Sequence, residues 1–551
     1  MNTIISHVLR QRIFYGILLL SILLRVPLIF TSQSHVDSDA SETGIMAKHI
    51  LEKGEHPLYG RRLPYNGGAA LEAHLGAILF YLFGVSSQTL KGVGLSLSLI
   101  ALAVTFYFTS NLFGRRLANL SALLFSLATP LIEWNLQMRG GYLETMIFTV
   151  LIFFIMYKIF WEGRKSWHYY AMWGFLSGLA WWNLEIILSF LVTSCILWFI
   201  LDRKLFLKST TLVFVVFFIL GCSPFIYYNL THNYQNVKFV FGSLLMKKSQ
   251  NIGEFDLWRW GAWKIQFIYE LFSATLPRFF EPDNEWSYFR GISLLSWVQY
   301  FIVLCGFGNA LRIIFGSRSL INKYSIMFIY IIAHLGAYCF FNPYDSPDVQ
   351  RFLILLFPYL SILTASLIIS LYDGKIVSRY MGVGVLLVIV GIGEISYISS
   401  MGKKSEWLDL DYKLERNGVR VIFLRTEGET ISRVISFLKS RNIRYVHSTY
   451  VIKYRLIFES GETIFASSEY FQPENEYYPY YENMIRDVKS QPRAVVLFQQ
   501  SGFFVSFQHL LHRKNVVYKR KDIGEMVVFY PFTQKQLAQI FTPPPLEKTS
   551  Q

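Results

Sequence analysis

Asp37 and Asp39 stand one residue apart in the stretch SHVDSDASETGIMAKHILEKGEHPLYG, just after the apolar run IFYGILLLSILLRVPLIFT. Each is a candidate proton acceptor. At the mouth of a membrane span a carboxylate sits at lipid-headgroup depth, partly withdrawn from water. That desolvation raises its affinity for a proton toward the range of a working base. The plain alternative is a pair of solvated acids, with Asp39 or Ser38 capping a helix that begins near Ser41. The residues that follow favour the chemical reading. Ile45, Met46, Ile50 and Leu51 recur at helical spacing and Gly54 ends the pattern, which predicts an amphipathic helix lying along a surface. HPLYGRRLPYNGG is turn-rich. AALEAHLGAILFYLFG (69–84) then predicts a second interfacial helix, with Glu72 and His74 in its first turns.

Further polar residues gather at the edges of other apolar runs. Tyr142 and Glu144 lie in MRGGYLE, Asn183 and Glu185 in WWNLE, and Asp345 and Asp348 in NPYDSPDVQR beside Arg351. A carboxylate at a span edge is costly unless it is paired or faces water. These residues are therefore candidates to line a substrate cavity. Trp and Tyr near span ends have the ordinary aromatic belt as their simplest role. Cys195, Cys222, Cys305 and Cys339 all fall in apolar segments without a C-x-x-C pair, so they read as packing residues. No HExxH, P-loop or usable GxGxxG is present. No metal site is assigned. A divalent cation, Mg or Mn, is left open, with no dedicated ligand cluster beyond Asp37 and Asp39.

The elements that must position these residues follow from composition. Of 551 residues, 53% are apolar and 16% charged, against about a quarter charged in soluble domains. Apolar runs recur through the first 400 residues and then stop. At about 20 residues per span they predict an α-helical polytopic membrane protein with about eleven transmembrane helices. The candidates are 12–31, 90–112, 117–134, 143–161, 168–183, 185–201, 209–228, 293–316, 324–341, 351–371 and 377–398. The first run, behind Arg10 and Arg12, lacks a small-residue cleavage site and reads as an uncleaved span. The formal charge of +15 does not point to nucleic acid, because no basic patch interleaves with an aromatic platform. The basic residues instead fill short loops. With the N-terminus inside and 69–84 left out of the count, Arg115, Arg164, Arg203, Arg312 and Lys375 all fall on the inner face, as the positive-inside rule asks. The outer face then holds the first loop, 32–89, the polar span edges and the C-terminal part.

The chain divides into a transmembrane domain, 1–400, an outer α/β domain, 401–540, and a disordered tail, 541–551. In the second, VRVIFL, RYVHSTY, TIFASS, RAVVLFQ and MVVFYPF read as strands. TISRVISFLKSRN, YENMIRDVKS and VSFQHLLHRKN read as helices between them. This alternation predicts a mostly parallel sheet. No phosphate loop, metal cluster or nucleophile stands out there, so its expected role is to shape the acceptor site or bind a partner, with a stabilising lid without specificity as the equal alternative.

The run from Arg25 through VDSDASETGIMAKHILEKGEHPLYG resembles the opening of the GT-C glycosyltransferases. Among them it is most similar to the bacterial glycosyltransferase 39-like membrane proteins, which use polyprenyl-phosphate-linked sugars. Their pattern is an arginine late in the first span, then Asp-x-Asp-Glu-Ala, then Gly-x-Met-Ala-x-His-Ile-Leu-x-Gly. YNGGAALEAHLGAILFYLFG resembles their second interfacial helix. MRGGYLE, GLAWWNLEI and QRFLILLFPYL follow in the expected order, and the resemblance covers most of residues 10–400. It implies a GT-C-like fold in the cell membrane, a polyprenyl-phosphate sugar as donor, and an acceptor hydroxyl on a lipid, polysaccharide or protein. It implies Asp39 as general base, with Asp37 as the alternative. Ala40 replaces the family's glutamate, which keeps a non-catalytic scaffold or transporter of lipid-linked glycans as the rival reading. One base suffices for such a donor, since phosphate leaves without a proton, and attack from the opposite side inverts the anomeric centre. Glycosidases need two carboxylates because an alkoxide leaves poorly. Arg351 first and Arg139 second are the candidates to grip the donor phosphate. Their structural alternatives are a snorkelling anchor and a solvated loop charge.

Overall fold

The computed structural model describes residues 12–31, 36–60, 67–134, 136–202, 208–239, 257–281, 292–317, 322–341, 350–402, 405–409, 423–427, 429–471, 480–488, 490–499 and 501–541. Asp345, Asp348, the tail from 542 and most of VRVIFL lie outside them.

Seven helices among the described residues are long and apolar enough to cross a membrane: Arg12–Phe30, Ser87–Phe113, Tyr142–Phe160, Leu294–Phe315, Lys323–Phe340, Arg351–Tyr372 and Ile376–Ser399. The pair Ser209–Gly221 and Ser223–Thr231, bent by 55°, makes eight if counted as one span. The expected eleven are not confirmed among the described residues, and proline explains part of the difference. The span expected at 117–134 divides into Arg115–Ser126 and Thr129–Trp134, with Pro130 at the restart. Pro224 sits just past the 55° bend. Proline lacks the N–H of the helical ladder and pushes the residue before it out of helical geometry. Trp167–Asn183, 17 residues, and Glu185–Leu201 fall where two spans are expected but are shorter than the about 20 residues that a span needs.

Arg25 holds one of these breaks together. It is fully buried, donates from Nη1 to Ser21 Oγ at 2.9 Å, and donates from Nη2 to the Ser126 carbonyl at 3.1 Å. Ser126 ends its helix, so its carbonyl has no partner in the helical ladder, and the guanidinium supplies one. Further along, Trp167–Asn183 and Ser209–Gly221 touch backbone to backbone. A Cβ on Gly174, Gly178 or Gly221 would lie 2.2, 2.1 or 2.1 Å from a carbonyl oxygen of the opposite helix, so only glycine fits this seam.

The two helices expected in the first loop are present as Ser38–Lys53 and Gly67–Phe83, packed side by side. The first ends on Gly54 in the left-handed conformation.

The C-terminal part contains a short antiparallel pair, β1 (Ser405–Asp409) with β2 (Phe423–Glu427). Its main sheet is built from β3 (Tyr445–Ser448), β4 (Phe465–Ser467), β5 (Arg493–Phe498), β6 (Lys519–Ile523) and β7 (Met526–Phe532), in the order β4-β3-β5-β7-β6. The sheet is mixed. β3 pairs parallel with β4 and β5, but β7 runs antiparallel to both β5 and β6. The tight turn at Gly524, which has φ of +57°, joins β6 to β7 as a hairpin, and a hairpin is necessarily antiparallel. Val495, Leu497, Val527 and Phe529 face one apolar layer while Val496 and Val528 face the other, the alternation a two-sided sheet demands.

A helix that the sequence did not announce, Tyr450–Glu459, docks this domain on the first-loop helix Ser38–Lys53. Gly44 makes the close approach possible: a Cβ there would meet the Phe458 ring at 2.7 Å and Leu90 at 2.9 Å. Beyond it, Lys48 Nζ and His49 Nε2 each lie 2.8 Å from the Glu462 carboxylate, and the Tyr481 hydroxyl donates to it at 2.8 Å.

Candidate active site

The acidic turn is built into the start of the first-loop helix. Asp37, rather than Asp39 or Ser38, is its cap, and the helix begins at Ser38 rather than near Ser41. Asp37 Oδ1 accepts the Ala40 N–H at 2.8 Å, and Oδ2 lies 3.1 Å from Arg139 Nη2. Burial pushes the Asp37 carboxyl up, and Asp39 adds to that push. Arg139, the Ala40 N–H and Arg455 oppose it without cancelling it. Asp39 is two residues on, in the first turn, half-buried. Its Oδ1 accepts the hydroxyl of Tyr450, and the Ser38 hydroxyl donates to the Tyr450 carbonyl at 2.6 Å.

Arg139 is thus a partner of the acidic turn and not a solvated loop charge. It also stacks on the Trp134 ring, 4.6 Å from its centroid, and donates from Nε to Gln137. It belongs to a turn that Glu72 holds in place. The buried Glu72 carboxylate accepts the N–H groups of Gly140 and Gly141 at 3.0 and 3.1 Å. Both glycines have positive φ, +75° and +92°, a backbone that side-chain-bearing residues rarely adopt. Asn183 Nδ2 closes the other side, on the Gly141 carbonyl and on Thr145 Oγ1, each at 2.8 Å. Gly68 packs so tightly here that a Cβ would lie 2.2 Å from the Gly141 Cα.

Glu144 is buried in the first turn of Tyr142–Phe160, and neither of its oxygens has a hydrogen bond among the described residues. Tyr142 packs edge-on to Trp134 at 6.0 Å and against Phe352 at 6.1 Å. Through that contact the segment carrying Arg351 reaches the same turn. Arg351 is half-buried, its guanidinium 5.6 Å from the Phe352 ring. It opens a 3-10 stretch, Gln350–Leu356, ahead of Phe357–Tyr372, whose first turn contains Pro358. Glu185 accepts from Asn236 Nδ2 at 3.2 Å. His74 bonds the Ala70 carbonyl of its own helix at 2.7 Å and stacks near His56. No contact ties either to the acidic turn among those described.

Sequence reasoning picked out most of these residues but missed Tyr450, Arg455, Trp134 and Gln137. Nothing local marks Tyr450, which lies 411 residues from Asp39.

Comparison with solved structures identifies the architecture. ArnT from Cupriavidus metallidurans, bound to undecaprenyl phosphate, matches with a TM-score of 0.60 over 97% of this chain and 100% of that one, at 11% identity. The chain has a GT-C fold. The apo form of the same ArnT matches with a TM-score of 0.53 over 96% and 99%, at 13% identity. A GT-C oligosaccharyltransferase from Archaeoglobus fulgidus, tethered to an acceptor peptide containing the NVT sequon, matches with a TM-score of 0.53 over 96% and 75%, at 11% identity. No family model matches the chain, and comparison with curated proteins gives no match. In this GT-C fold Asp37 is engaged by Arg139 and a helix N–H, and Asp39 by Tyr450. Among the described residues no three His, Cys, Asp or Glu side chains converge as metal ligands.

Proposed function

We propose that the protein is a glycosyltransferase that moves a sugar from a polyprenyl-phosphate donor to an acceptor hydroxyl at the outer face of a cell membrane, with inversion. The observation that carries this reading is the acidic turn itself. Asp39 and the Asp37–Arg139 pair share one helix start at the end of the first apolar helix, on a GT-C fold. The undecaprenyl phosphate bound to the structurally similar ArnT supports a lipid-phosphate donor here.

Asp39 takes the proton of the acceptor hydroxyl as its oxygen attacks C1. The C1–O bond to phosphate breaks, and the electron pair leaves with the phosphate. Arg351 is the preferred phosphate ligand, because Arg139 already neutralises Asp37. Arg139 keeps a share in the field around the leaving group, and Asp37 orients it. Glu72 and Asn183 act one layer out by fixing the turn that carries Arg139. Tyr142 and Glu144 are the remaining candidates to meet the substrate from that turn. The N-terminus is cytoplasmic and the domain from 401 extracytoplasmic in this reading, and the acceptor is a lipid, polysaccharide or protein hydroxyl.

The test is incubation of the purified protein with labelled polyprenyl-phosphate sugars and candidate acceptors. Transfer that is lost in Asp39→Asn and retained in part in Asp37→Asn supports the assignment. Full activity in both variants removes the base. Donor binding without transfer under any condition favours the scaffold reading that Ala40 raises.

A further inference from the structure

The C-terminal domain reaches the acidic turn with two side chains. Tyr450 opens the helix Tyr450–Glu459 and donates its hydroxyl to Asp39, while its carbonyl accepts from Ser38. Arg455 follows on the same helix. It is 3% exposed, donates from Nε to Glu459 at 3.2 Å, and its buried Nη2 has no hydrogen bond among the described residues. Its charge is close enough to act on Asp37. The helix is pressed onto Ser38–Lys53 along the Gly44 face, so these contacts belong to a packed interface and not to a loose tail.

We propose that the C-terminal domain completes the transfer site: Tyr450 holds the Asp39 carboxylate, and Arg455 supplies positive charge to the acid pair. Both are positioning residues, and the proposal rests on Asp39 being the base. A hydroxyl that donates to a carboxylate stabilises its ionised form, as does a nearby guanidinium. Two further charged groups act on Asp37, Arg139 at 3.1 Å and Glu72 across the turn, and Glu42 lies buried on the same helix. The two groups from the distant domain favour the ionised form of the acids, Tyr450 by its hydrogen bond to Asp39 and Arg455 by its charge near Asp37.

Two readouts on the full-length protein test this. The first needs no activity: carbodiimide labelling of Asp39, quantified by peptide mass spectrometry against pH, since only the protonated carboxyl reacts. Tyr450→Phe keeps the ring that packs on Tyr454 and is expected to raise the labelling midpoint by about one pH unit. Arg455→Gln is expected to raise it in the same direction, and Arg455→Lys to restore it. Glu462→Gln loosens the same interface at its far end and is expected to leave the midpoint where it was. The second readout is the pH profile of transfer. Its acid limb should shift with the labelling midpoint while KM for the donor stays unchanged. A midpoint unmoved in folded Tyr450→Phe overturns the proposal, as does an equal shift in Glu462→Gln. A wild-type protein that transfers no sugar removes the functional reading, and the labelling still decides whether Tyr450 and Arg455 govern the carboxyl.

Discussion

At the residue scale, Asp37 and Asp39 have different partners and so different expected mutants. Asn caps a helix about as well as Asp, so Asp37→Asn keeps the helix start and loses only the charge pair with Arg139. It should slow transfer by roughly tenfold. Asp39→Asn removes the proton acceptor and should lower the rate by about 10²–10⁴-fold, with the protein still inserted; initial rates in matched membranes check both. Glu72→Ala leaves the Gly140 and Gly141 N–H groups without their acceptor. That costs about 1–3 kcal/mol for each buried group left unsatisfied, read as a lower melting temperature in detergent. The acidic turn is legible in the sequence as two carboxylates directly after an apolar run, but which of them caps the helix is not: that is Asp37. Arg139 was harder. Its role depends on a turn whose shape comes from two glycines and from a carboxylate 68 residues away, and no local pattern records that.

At the element scale, glycine positions and docking contacts are the sensitive points. Gly68→Ala would place a Cβ 2.2 Å from backbone at Gly141. Backbone cannot step aside as a flexible side chain does, so the Arg139 turn should be displaced, with loss of transfer exceeding that of Arg139→Ala. Docking of the C-terminal domain should depend on acid pH through Glu462. Burial raises its carboxyl, but hydrogen bonds from His49, Lys48 and Tyr481 outweigh burial and hold it well below the usual range. A carboxyl lowered by folding contributes stability that is fully present above its unfolded value, about 4.3. That contribution is lost as pH falls through the lowered value. Thermal melts from neutral to strongly acid pH should show this loss, and Glu462→Gln should flatten it. The two first-loop helices and most of the long apolar helices are readable from apolar periodicity and length. The breaks are readable too, at Pro130 and Pro224, once proline is weighed against hydropathy. The docking helix Tyr450–Glu459 is not, because its buried face includes Lys453 and Arg455, which carry no apolar signal; Lys453 is satisfied by Glu482 at 2.6 Å.

At the scale of the whole molecule, the helical bundle and the C-terminal domain meet at the turn that carries Asp39. Cutting the chain after the last long helix, at Gly402, should leave a protein that inserts but transfers little. Adding back the missing domain on a separate chain should recover part of the rate if the Gly44 face can capture it; in-membrane assays of the two halves measure this.

The Asp39–Tyr450 contact has a temporal side. During synthesis the acidic turn emerges early, and its hydroxyl partner follows 411 residues later. At elongation rates of about 5–20 residues per second, that is a wait of tens of seconds. For that interval a nascent chain carries Asp39 without the hydroxyl that bonds it. The contact between the first loop and the C-terminal domain therefore forms last, after every long apolar helix has been made.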